Sequence, residues 1–152
     1  MLEFFILIVH FFKVQRSSEV LPNHIEIPAA WFGRDLAKKS DIWHYTLKDE
    51  EIKELITAAN KFRDSGEELG KITPKNFVLE KFSLKLSELQ KELGNGIGFR
   101  LISGLPVEEL SPEQYSTVFC GLGSHLGNAR SQNAAGHLLG HVRDTGASAK
   151  DP

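Results

Sequence analysis

Three of the six histidines in this chain, His125, His137 and His141, fall between Ser124 and Gly146. His137 and His141 are four apart, the spacing that puts two imidazoles on one helix face in H-E-x-x-H metal sites. Here Leu138, Leu139 and Gly140 separate them, so the general-base glutamate is missing. Gly136 and Gly140 also argue against a helix across the pair. A zinc or iron site needs converging ligands and hydrogen-bond support behind them, and the segment supplies neither from its own residues. His24-Ile25-Glu26 is a second candidate, matching the H-x-[DE] half of the triad that holds non-haem Fe(II), with His137 or His141 as the formal distal histidine. With six histidines and 20 acids in 152 residues, roughly one such match arises by chance. His24 lies in proline-flanked sequence before the first clear helix, and it reads as structural or surface.

The remaining motifs are weaker. "GNGIGF" (94–99) lacks the third glycine of a dinucleotide fingerprint, and it precedes a strand instead of following one. In "GLGSHLG" (121–127) the glycines sit within and at the end of a helix, where they serve close packing and a C-cap. Cys120, the single cysteine, has no activating neighbour in sequence and reads as a packing residue.

The elements that must position any site follow from periodicity. A T-x-x-D signal at Thr46 and Asp49 predicts a helix carrying Ile52, Leu55, Ile56, Ala59 and Phe62 on one stripe and stopping near Gly66. Its other face, with Glu50, Lys53, Glu54, Asn60 and Lys61, reads as solvated. Ser83 is the expected cap of a short helix bearing Leu86, Leu89 and Leu93, broken by Gly94 and Gly96. "IGFRLI" (97–102) reads as a strand closed by a turn at Gly104 and Pro106. Ser111, Pro112 and Gln114 form a complete capping box for a helix burying Tyr115, Val118, Phe119, Leu122 and Leu126, ended by Gly127. After a polar loop, "HLLGHVRD" (137–144) is a possible second strand. Trp31 and Trp43 read as core or lid aromatics whose indole N–H groups need partners if buried.

Bulk properties bound the function. The 152 residues are 41% hydrophobic and 25% charged, ordinary globular usage and enough for one core. A net charge of −2 with interleaved signs gives no nucleic-acid surface. One cysteine allows no intrachain disulfide and fits a reducing, cytoplasmic compartment. The apolar opening "MLEFFILIVHFF" is shorter than a spanning helix and lacks the flanks of a secretory signal. A buried strand or extra translated residues explain it; a membrane anchor or atypical signal is the other reading. Residues 1–21 are therefore set apart from an expected domain at 22–152. No membrane partner is expected, and nothing in the sequence fixes an oligomeric state.

"AAWFGRDL" (29–36), then the G-x-G-F-x-L-I-x-G-L-P strand ending at Pro106, then the L-G-x-x-x-x-Q-N-x-x-G loop ending at Gly136, resemble the N-terminal portion of the taurine dioxygenase-like (TauD/TfdA) family over roughly Pro28 to Asp151. The resemblance implies an α/β (α+β) fold: part of a double-stranded β-helix, or jelly roll, with flanking N-terminal helices, truncated before the metal-binding core. It implies an oxidoreductase, a dioxygenase using Fe(II) and 2-oxoglutarate to hydroxylate a small-molecule substrate, in the full-length protein. The family's iron-binding H-x-D, distal histidine and 2-oxoglutarate arginine come after the region matched, and this chain has no H-x-D. No catalytic or metal residue is therefore assigned, no cofactor is expected to bind this chain, and the chain alone is expected to be inactive. The resemblance puts Gln132 and Asn133 on the substrate side of the pocket, where amides can orient a polar group. The alternative is that they satisfy loop backbone groups. The rival to an oxygenase fragment is a non-catalytic remnant or small interaction module without iron.

Overall fold

The structure is a computed structural model that describes residues 5–7 and 26–140. Its elements run β1 (Phe5–Leu7), α1 (Gly33–Leu36), β2 (His44–Thr46), α2 (Asp49–Asp64), α3 (Phe82–Asn95), β3 (Arg100–Ser103) and α4 (Pro112–Leu126), with short 3₁₀ turns at Ser40–Ile42, Leu69–Lys71 and Val107–Glu109. The architecture is mixed α/β. Strand β3 is central: β2 pairs with it in parallel, His44 opposite Leu101 and Thr46 opposite Ser103. β1 pairs with it antiparallel, Phe5 opposite Ile102. Among the described residues there is one sheet, and the second sheet expected of a jelly roll is not among them.

The core lies where α4 packs on both α2 and α3. Leu55, Ala59 and Phe62 of α2 face Val118, Leu122 and Leu126 of α4, while Phe82, Leu86, Leu89 and Leu93 supply the α3 stripe. Phe77, fully buried, fills the space beside α4. Here the small residues of "GLGSHLG" serve packing, as expected. A β-carbon on Gly121 would lie 2.5 Å from the Phe77 ring, so only glycine lets ring and helix approach this closely. Gly127 closes α4, its N–H bonded to Gly123 O. Of the expected α4 stripe, Tyr115 and Phe119 are half-buried, and the face rotates to include Ser116, Thr117 and Gly121.

Several boundaries differ from expectation, each for a physical reason. Thr46 does not cap α2: it ends β2, and the ladder continues through Leu47, whose N–H bonds Ser103 O at 2.8 Å. The residue before α2 is Lys48, whose side chain has no acceptor; Glu51 reaches back to take the Lys48 N–H at 2.9 Å instead. Ser83 lies inside α3, which begins at Phe82. The cap comes from another helix, with the Glu54 carboxylate accepting the N–H groups of Lys81 (2.9 Å) and Phe82 (3.1 Å). The solvated face of α2 is thus not idle, and Asn60 on it accepts from Gln114 Nε2 at 3.0 Å, tying α2 to the start of α4. Helix α3 runs through Gly94 to Asn95, and β3 is shorter than the "IGFRLI" reading. His137–Gly140 is loop and bend, not strand, because its backbone closes on its own loop through Gln132 N–H to His137 O (2.7 Å). The rest of that segment, with His141 and Arg143, lies outside the described residues, as does His24.

The tryptophans behave as expected of polar-tipped aromatics. Trp43 donates to Leu36 O (2.9 Å) and Trp31 to Ile97 O (2.8 Å), although Trp31 is 41% exposed. Among the described residues no helix is long and apolar enough to cross a membrane.

Candidate functional site

A groove of about 540 Å³, within the usual range for ligand sites, opens where α4 ends. One wall is the Leu69–Pro74 segment, the second is the C-terminal half of α4, and the third is the loop from Gly127 to Leu138. The first wall is made rigid by one amide. Asn76 Oδ1 accepts the Thr73 N–H (2.7 Å) and hydroxyl (3.0 Å), while its Nδ2 donates to Lys71 O (3.1 Å) and Glu67 (2.9 Å). The second wall is fixed by the core, and its last carbonyl, Leu126 O, accepts from Gln90 Nε2 of α3 at 2.9 Å. Cys120 lines this wall half-buried, and burial pushes its thiol up, which favours the neutral form and fits a packing role.

The third wall carries the two residues singled out from sequence, and it separates their roles. Gln132 lines the groove, its Nε2 donating to Arg130 O at 2.8 Å. Asn133 does not line it. Its Oδ1 accepts the N–H groups of Ala135 and His137, both at 3.1 Å, and its Nδ2 meets His137 Nδ1 at 3.0 Å. Gly136 completes the turn with φ +84°, its N–H bonded to Asn133 O. The Asn133 side chain thus makes three of the bonds that shape this loop, alongside Ser131 Oγ to Asn133 O (2.7 Å) and the Gln132–His137 backbone bond. The loop meets the body through Leu138, whose Cδ1 lies 3.5 Å from where a Gly70 β-carbon would sit. Leu139 dips into a second groove of about 520 Å³, and Leu69 borders both grooves.

The described histidines are each engaged locally. His125 Nε2 donates to Phe77 O (2.9 Å), since a carbonyl can only accept. His44 Nε2 meets Ser103 Oγ at 2.7 Å, and His137 is held by Asn133. Among the described residues no three His, Cys, Asp or Glu side chains converge in a way that would hold a metal ion. These residues therefore do not fit an iron site, and no chemical step is assigned to iron through them. Sequence reasoning singled out Gln132 but missed Arg130 and Thr73 as groove residues, the latter held from behind by Asn76. The T-x-x-N spacing at Thr73 was the available local signal; that it faces α4 depends on long-range packing.

No protein-family profile matches the chain. A protein of Streptomyces rubellomurinus named "FR-33289 synthase" is 26% identical over 128 residues, 84% of this chain and 38% of that protein. The "Taurine hydroxylase-like protein SAT17" of Stachybotrys chartarum is 29% identical over 116 residues, 76% of this chain and 30% of that protein. The resemblance to the taurine dioxygenase-like family is borne out. The chain spans about a third of the length of these relatives, so its likeness covers a part of each and leaves the activity of the whole to be proposed.

Proposed function

We propose that this chain is the N-terminal, substrate-side part of a dioxygenase resembling the Fe(II)- and 2-oxoglutarate-dependent enzymes that hydroxylate small organic molecules. The observation that carries this reading is the groove beside α4, lined by Gln132, in a chain similar over most of its length to a hydroxylase-like protein. In this reading residues 22–152 belong to one oxygenase domain, and a jelly roll is completed by sequence outside the described residues. Iron ligands and the 2-oxoglutarate site come from there too. The metal and cosubstrate would supply the oxidant; the residues described here wall the substrate, position it through Gln132, and keep the loop in shape through Asn133. The substrate is a small molecule, with no nucleic-acid or membrane partner, in the cytoplasm.

Succinate release from 2-oxoglutarate under aerobic Fe(II) conditions is the test. The 152-residue chain alone gives none above buffer. A longer polypeptide that adds an H-x-D and a distal histidine gives substrate-stimulated release. Tight ferrous binding by the 152-residue chain through His24, Glu26 and His137 or His141, or an inert longer polypeptide, would overturn the reading.

The second reading is a small interaction module without iron. The core from Leu47 to Leu126, closed around fully buried Phe77, Leu55 and Val118, favours it. Cooperative melting of the 152-residue chain, with an inert longer polypeptide, would select this reading.

A further inference from the structure

We infer that the loop from Asn128 to Gly140 is a preformed flap, latched by Leu138 and Leu139 in two grooves that share Leu69, and that Leu139, seated in the second groove, controls access to the groove beside α4. The inference concerns how that groove opens, whatever molecule it takes, and so goes beyond the oxygenase reading.

Burial along the loop is confined to two neighbouring positions. From Asn128 through Gly140 every residue is exposed except Leu138 and Leu139, which are half-buried. The two part at Leu69. Leu138 lines the groove beside α4, while Leu139 lines the other, with Phe62 from the end of α2 and Pro112 and Thr117 from the start of α4. Leu69 borders both grooves and packs against the core. Nothing polar adds to that hold. Among the described residues every hydrogen bond of the loop has both ends within it: Gln132 N–H to His137 O, Gly136 N–H to Asn133 O, Ser131 Oγ to Asn133 O, Gln132 Nε2 to Arg130 O, and the Asn133 side chain to Ala135 and His137. Those bonds keep the loop's shape whether or not it touches the body. Its junction with α4 is unbraced. Gly127 is fully extended at φ 176° and ψ −173°, and Asn128 and Ala129 make no hydrogen bond among the described residues. A unit bonded within itself, and tied to the body by two apolar side chains, opens as one body at a cost well below global unfolding. The two leucines are adjacent on the backbone, so lifting Leu139 from its groove withdraws Leu138 from the other. Apolar burial suits such a latch, being non-directional and proportional to the area covered.

Cys120, the chain's only cysteine, lines the groove beside α4 and not the groove that holds Leu139. It therefore reports opening away from the site of mutation. The readout is the rate of Cys120 alkylation by iodoacetamide in the full chain at mildly alkaline pH. Leu139→Ala should raise that rate about tenfold, the worth of a half-buried leucine side chain in an opening equilibrium. Leu139→Met keeps the apolar volume and should leave the rate near that of the parent. Leu84→Ala, at a leucine 73% exposed on α3, should change nothing. Amide exchange at Ala135 and His137 should stay as it is in Leu139→Ala, because their acceptor, Asn133 Oδ1, travels with the flap. An unchanged melting curve verifies that the core is intact; if Leu139→Ala melts early, Leu139→Val replaces it, with an expected rise of about threefold. An alkylation rate unmoved by the truncation, or an equal rise in Leu139→Met or Leu84→Ala, overturns the inference. So does a rise accompanied by faster exchange at Ala135 and His137, which would mean that the loop melts in place and does not lift. The measurement needs neither iron nor 2-oxoglutarate, so an inert longer polypeptide removes the oxygenase reading and leaves the latch standing.

Discussion

The ring of Phe77 occupies the space that a side chain on Gly121 would fill. That pairing sets how close α4 comes to the segment leading into α3, and so where the second wall of the groove stands. Phe77 is fully buried and cannot swing aside. Gly121→Ala should therefore destabilise the chain by about 1–3 kcal/mol, the usual cost of overpacking, despite the better helix propensity of alanine. Denaturant unfolding measures it. Gly123→Ala is the control, because nothing lies within 4 Å of a β-carbon there; it should be neutral or stabilising.

Glu54 caps a helix that begins 28 residues later. Its carboxylate satisfies two N–H groups that α3 cannot pair internally, and it adds charge at the positive end of the helix dipole. Glu54→Ala should lower stability by roughly 1–2 kcal/mol, and Glu54→Gln by less, since the amide keeps one acceptor. Amide exchange at Lys81 and Phe82 should accelerate in Glu54→Ala more than at residues in α4. Uniform acceleration would mean that the carboxylate acts on global stability and not as a cap.

Tyr45 provides a pH signature. Burial, then its hydrogen bond to Glu51 (2.6 Å), pushes its phenol from 10.0 up to about 12. The folded state thus holds this proton at pH values where the unfolded chain has released it, so stability is intact below about pH 10 and falls as pH rises from there toward 12. Tyr45→Phe should flatten that fall without removing the ring packing on Phe82. Chemical denaturation between pH 9 and 12, at about half-unit steps, tests it; an unchanged slope in Tyr45→Phe would assign the loss to other groups.

The start of α4 was legible because its signals are local. Ser111, Pro112 and Gln114 sit within four residues, and the structure returns both reciprocal bonds, at 3.0 and 3.2 Å. The start of α3 was not, because its cap is Glu54 on another helix, and Ser83 was the nearest local substitute. Strand β2 was missed for a similar reason. His44–Thr46 is three residues long, with no alternation to read, and it is a strand only because β3 lies alongside, with Leu101 N–H bonded to Trp43 O at 2.7 Å. The candidate site divided along the same line. Asn133 and Gly136 build a turn from within one loop, chemistry a sequence reveals. Which side chain of that loop faces α4 and Leu69–Pro74 depends on packing between distant segments, and neighbouring residues Gln132 and Asn133 fell on opposite sides of that decision.

That division is itself testable. Asn133→Ala removes the acceptor for two backbone N–H groups and the contact with His137, so it should loosen the loop. Amide exchange at Ala135 and His137 should rise at least about tenfold, a loss of roughly 1–2 kcal/mol of local protection, while the melting of the core built by α2, α3 and α4 stays put. Gln132→Ala should leave those two amides protected, because its side chain bonds only Arg130 O among the described residues. If Gln132 serves the substrate, the same variant weakens small-molecule binding in the groove, whereas Asn133→Ala does so only in proportion to the loosening it causes. Equal exchange at Ala135 in both variants would mean that the loop is held by its contact at Leu138 and not by the Asn133 amide.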